Sequence, residues 1–102
     1  MVYKIAKERK AQVPLKMVWK EGIKRPQVLC DQCGHHIKDA KNGNALWLIK
    51  IQEYPEPEDI FFTHKQCTHA FELQRKGMWG TLDLDAFPIQ LAANLGIRVK
   101  MT

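Results

Sequence analysis

Residues 30–34 read CDQCG and residues 64–67 read HKQC. Together they use every cysteine of the chain, Cys30, Cys33 and Cys67, and one of its four histidines, His64. Three thiolates and one imidazole make the closed tetrahedral shell that a structural Zn²⁺ prefers. Gly34 permits the tight backbone that aims the first two thiolates at one point. The expected metal set is therefore Cys30, Cys33, His64 and Cys67, with Zn²⁺ as the cofactor.

Working outward, Val28 and Leu29 lead into the CDQCG turn, and the run DAKNGN at 39–44 carries Asn-Gly, a strong turn signal. Residues 45–52 follow as a strand, with Trp47, Ile49 and Ile51 on one parity and Leu46 and Leu48 on the other. EYPEPED at 53–59 is acidic and holds two prolines, so it reads as an exposed loop. Residues 60–63 resume as a strand and close a hairpin across that loop. A helix fits 64–76, with Thr63 as N-cap and Gly77 as its stop.

Farther out, Val13, Leu15, Met17 and Trp19 alternate as in a strand, and 22–26 reads as a turn. On the other side, Asp85 caps a second helix whose first turn holds Pro88. Its apolar face is Phe87, Leu91, Ala92 and Leu95, Gly96 ends it, and 97–101 reads as a closing strand. The expected fold is thus a small α+β domain with a β-hairpin, two helices and flanking short strands.

The order of CxxC turn, hairpin and HxxC at a helix start resembles the treble-clef zinc finger, over about residues 28–76. The ligand order Cys, Cys, His, Cys is similar to the first zinc half of a LIM domain. The 30 residues between Cys33 and His64 exceed LIM usage, and no second ligand set follows Cys67, since position 70 is Ala70. The resemblance implies a treble-clef fold around these four ligands and does not extend to LIM function.

Other chemistries use the same residue types. A thioredoxin-like redox dithiol needs a βαβ context that is missing here, and it leaves His64 and Cys67 unexplained. A zinc deaminase needs HxE and then PCxxC, but no histidine is followed by Glu at the second position, and Leu29 precedes Cys30. An HNH nuclease places a catalytic His on the hairpin, and neither expected strand carries a spare one. A Cys67 nucleophile is excluded while its thiolate ligates metal. His35 or His36 could replace His64 or stand behind the ligands; His69 reads as a surface residue.

The net charge of +5 is unevenly placed. In residues 1–25, eight Lys/Arg stand against Glu8 and Glu21, leaving +6, so the remaining residues carry −1. A basic cluster of this density suits phosphate backbones, and Lys4, Lys7, Arg9, Lys10, Lys16 and Lys20 are the candidate contacts. The competing expectation is a protein–protein adaptor that uses Trp79 and the acidic loop. A length of 102 residues makes one domain, expected at 13–102 behind a basic arm or short helix at 1–12. The first residues lack the pattern of a signal peptide, and no run approaches the roughly 18 apolar residues of a membrane span. Three unpaired cysteines then fit a reducing, cytoplasmic setting. The overall expectation is a non-enzymatic zinc protein that binds nucleic acid or a protein partner, with neither a membrane surface nor a small-molecule substrate.

Overall fold

A computed structural model describes residues 15–50 and 57–98 of the chain. The elements run β1 (Leu15–Lys20), β2 (Ile23–Val28), β3 (Gly43–Ile49), β4 (Phe61–His64), α1 (Lys65–Gln74), β5 (Met78–Asp83) and α2 (Phe87–Asn94). The fold class is mixed α+β. The strands form two antiparallel sheets, a β1-β2 ribbon and a three-stranded sheet in the order β4-β3-β5.

The central strand β3 explains how the sheet is covered. Consecutive residues Ala45 and Leu46 are both fully buried, although consecutive side chains point to opposite faces. Both faces of the sheet therefore carry a layer. On the first, Ala45 lies opposite Phe62 and packs with Cys30, Ile37 and Leu84, while Phe87 of α2 meets the Phe62 ring edge-on at 5.3 Å. On the second, Leu46 lies opposite Phe61, and α1 brings in the fully buried Phe71, 5.5 Å from the Phe61 ring. Trp79 of β5 completes this second cluster, 5.0 Å from Phe71 and 5.8 Å from Phe61. Its indole N–H donates to the Arg75 carbonyl at 3.1 Å, so Trp79 is a packed residue rather than an exposed contact point.

Several expectations are corrected. Residues 22–26 are not a turn, because Ile23–Val28 is a strand paired with β1 along its whole length. The turn is Glu21-Gly22, with φ of 53° and 79°, the double positive φ of a type I′ hairpin. Pro26 is tolerated because a two-stranded ribbon has an outer edge where a missing N–H costs no ladder bond. Thr63 does not cap α1. It lies buried in β4 with its hydroxyl 2.8 Å from that of Thr68, and His64 takes the cap position without a side-chain bond. Ala86, not Asp85, precedes α2, which keeps Pro88 in its first turn.

Strand β5 was not foreseen. Its Gly80 is required by long-range packing, since a Cβ there would fall 2.5 Å from the ring of its cross-strand neighbour Trp47. Asn42-Gly43 does not form a hairpin tip. Asp39 accepts the Lys41 N–H at 3.0 Å to cap a short 3₁₀ turn at Ala40–Asn42, and Gly43 opens β3. Residues 97–98 are not in a strand. The 1–12 arm, the last residues of the 45–52 strand and 99–101 of the closing strand lie outside the described residues.

Candidate metal centre

The CDQCG turn is shaped by its own backbone. The Gly34 N–H donates to the Cys30 carbonyl at 2.8 Å, with Gly34 at φ 81°, where a side chain would be strained. The Cys30 N–H donates to the His35 carbonyl at 2.9 Å, and Leu29 bridges His36 as the two arms of the turn run antiparallel. Cys30 is 2% exposed and Cys33 is exposed, so the turn offers one inner and one outer sulfur.

Asp31 fastens this turn to the sheet. Its N–H donates to the Phe62 carbonyl at 2.6 Å, and its carboxylate accepts the Phe62 N–H at 2.8 Å. Burial raises the carboxyl pKa, while the Phe62 N–H and the Arg75 charge pull it back down. Arg75 also donates to the Gln32 side chain at 3.2 Å and lies 4.0 Å over the Phe71 ring, linking the turn to the far end of α1. Nothing in the sequence marks Asp31 or Arg75, because their partners are 31 and 43 residues away. Asp31→Ala is expected to lower stability by about 1–3 kcal/mol, because it leaves a partly buried N–H unpaired. Asp31→Asn, which keeps the acceptor, is expected to lose less; urea titration of the two variants checks the order.

The turn from β4 into α1 brings the other pair. His64 ends the strand, and Cys67 sits in the first helical turn, where helix N–H groups favour a thiolate. One ligand atom from each of Cys30, Cys33, His64 and Cys67 lies within 4.8 Å of every other. A tetrahedron with Zn–S of about 2.3 Å and Zn–N of about 2.0 Å has edges of roughly 3.5–3.8 Å. The Cys33 sulfur lies 3.4 Å from His64 Nδ1, close to such an edge. His64 Nε2 donates to the His36 carbonyl at 3.3 Å, which leaves the Nδ1 lone pair facing the sulfurs. The four residues are thus positioned to bind a metal ion, and their donor set is compatible with Zn²⁺.

The electrostatics favour a cation at this point. Burial alone would raise the Cys30 pKa, but N–H groups of Cys33, His64 and Gln32, at 3.3–3.5 Å from its sulfur, bring it down to about 7. Cys67 is pushed up to about 12, first by burial and then by the neighbouring Cys30 and Cys33. Burial and the neighbouring sulfurs of Cys30 and Cys33 make Cys67 hold its proton unless positive charge compensates it. Metal binding must therefore displace at least the Cys67 proton, and affinity is expected to drop at least about tenfold per pH unit of acidification. Below about pH 7, where Cys30 is also protonated, the dependence should steepen. A competition titration with a chromophoric chelator between pH 6 and 8.5 measures this slope; a flat profile would contradict it.

The other histidines lie outside the cluster. His35 and His69 are exposed, and His36 contributes its carbonyl rather than its ring. Of the candidate phosphate contacts, Lys16 and Lys20 are exposed on β1, while Lys4, Lys7, Arg9 and Lys10 lie outside the described residues. No helix among the described residues is long and apolar enough to cross a membrane. No protein-family model matches the chain, and no curated protein or solved structure shows significant similarity to it.

Proposed function

We propose that this chain is a non-enzymatic, treble-clef-type zinc protein that works by binding nucleic acid in a reducing compartment such as the cytoplasm. In this reading the metal is structural. Four protein donors fill a tetrahedral shell and leave no position for a substrate or an activated water. When bound, the zinc would cross-link the CDQCG turn to the start of α1, with Cys30, Cys33, His64 and Cys67 holding it.

The observation that carries the nucleic-acid reading is the placement of charge. Lys16, Lys20, Lys24 and Arg25 stand exposed on the β1-β2 ribbon, next to a further basic stretch, in a chain otherwise close to neutral. Oligonucleotide binding, followed by fluorescence anisotropy at 50 and 200 mM salt, tests it. Four phosphate contacts should cost roughly a hundredfold in affinity between those conditions. Deleting residues 1–12 should weaken binding and flatten the salt dependence. Absence of binding at the lower salt would sink the proposal.

A second reading, a protein–protein adaptor, draws on exposed apolar side chains. Met17 and Trp19 on β1 and Leu95 after α2 are 61%, 66% and 66% exposed. That reading expects a stable protein partner whose capture is lost when Trp19 is replaced by Ala.

A further inference from the structure

We propose that the basic face of the β1-β2 ribbon, carrying Lys16, Lys20 and Arg25, is the surface that enters the major groove of duplex DNA. The proposal rests on the nucleic-acid reading above and names its ligand class. The strand register divides the ribbon cleanly. Leu15 pairs with Val28, Met17 with Pro26 and Trp19 with Lys24 on one face; Lys16 pairs with Gln27, Val18 with Arg25 and Lys20 with Ile23 on the other.

Only the base of the ribbon meets the body of the protein; Met17, Trp19, Lys24 and Pro26 of the first face are exposed. Leu15, Pro26 and Val28, with Gln27 of the other face, line a groove of about 380 Å³ that Phe87 and Leu91 close from the body. What distinguishes the second face is charge: beside half-buried Val18 and Gln27 it carries Lys16, Lys20 and Arg25, with no acidic residue among its six positions. All three basic side chains are exposed. Arg25 sits at the middle of this face with the two lysines toward its ends.

Shape selects among nucleic acids. Two strands about 4.8 Å apart and roughly 20 Å long fit the B-form major groove, about 12 Å wide, which admits a two-stranded ribbon. The major groove of A-form RNA is too narrow for side chains to read. A single strand would need an aromatic platform beside the positive charge. The ribbon's aromatic residue, Trp19, lies on the opposite face from Lys16, Lys20 and Arg25, with a single cation, the Lys24 ammonium, 5.5 Å from its ring, so the larger charge cluster has no ring beside it. In the duplex complex Arg25 faces base edges, where its planar fork matches guanine, and Lys16 and Lys20 reach the flanking phosphates.

The test uses the full zinc-loaded chain and a mixed-sequence 20-base-pair duplex, the same strand alone, and the duplex with glucosylated hydroxymethylcytosines that fill the major groove. The unmodified duplex should bind best, and blocking the groove should weaken binding by about tenfold or more. The variant K16A/K20A/R25A should lose a comparable factor and flatten the salt slope by roughly 0.9 per lost phosphate contact. Lys76→Ala, beyond the end of α1, should bind like the parent, and zinc content verifies that each variant is folded. Parent-like binding by the triple variant overturns the ribbon assignment but leaves the nucleic-acid reading standing. Preference for the single strand, or indifference to the blocked groove, overturns the major-groove assignment. If the parent binds none of the probes, both readings fall.

Discussion

Stripping the metal with a strong chelator will unfold the domain, with loss of far-ultraviolet ellipticity and a red shift of tryptophan emission as Trp47 and Trp79 become hydrated. The energetic comparison is lopsided. Structural zinc sites in small domains contribute on the order of 10–16 kcal/mol at neutral pH, whereas whole domains of this size are stable by about 5–15 kcal/mol. The apolar core beside the site is small; one of its members, Cys30, and one residue packed against it, Cys67, are themselves ligand candidates. Without the cation, three sulfurs crowd a site in which Cys67 holds its proton up to about pH 12. Cys67→Ser should reproduce the chelated state, and His69→Ala, exposed on α1, should leave zinc content and ellipticity unchanged. Retention of native ellipticity after complete metal removal would show that the metal does not hold the fold together.

Phe71→Ala is expected to be the most damaging single change outside the ligands. Its ring is fully buried, touches Phe61 and Trp79, and supports the Arg75 guanidinium at 4.0 Å. Truncating a buried Phe to Ala costs about 3–5 kcal/mol, from lost transfer energy and the cavity left behind. For a domain of about 100 residues that corresponds to a fall in Tm of at least roughly 12 °C. The variant should still take up one metal ion, because Phe71 lies on the α1 face of the sheet away from Ala45 and Phe62. A Tm shift under about 5 °C would mean that the second aromatic cluster carries little of the stability.

The sequence made some of this legible because the signals were local. CxxC and HxxC spacings fix pairs of donors within one turn each, and the apolar run at 45–49 identifies the central strand before any partner is known. What was hidden depended on distant neighbours. Ile23–Val28 looks like a turn because Lys24, Arg25 and Pro26 carry no apolar alternation, and only pairing with β1 makes it a strand. Met78–Asp83 is interrupted by Gly80, whose small size answers Trp47 across the sheet, more than 30 residues away in the chain. Thr63 has the chemistry of a cap but spends its hydroxyl on Thr68 inside the sheet.

The alternation of Leu15, Met17 and Trp19 read correctly as a strand, yet these side chains are more than half exposed. A two-stranded ribbon has too little sheet to bury a whole face, and only its base, at Leu15 and Val28, reaches the body. The Cys30, Cys33, His64 and Cys67 cluster joins the CDQCG turn to the start of α1, and in the proposed reading the ribbon is the part that meets another molecule.

X-ray absorption at the zinc edge of the purified protein addresses the central claim most directly. The account predicts one zinc per chain in a four-coordinate shell of three sulfurs near 2.3 Å and one nitrogen near 2.0 Å. A folded protein without metal, or a shell with fewer than three sulfurs or with a water in the fourth position, would contradict it.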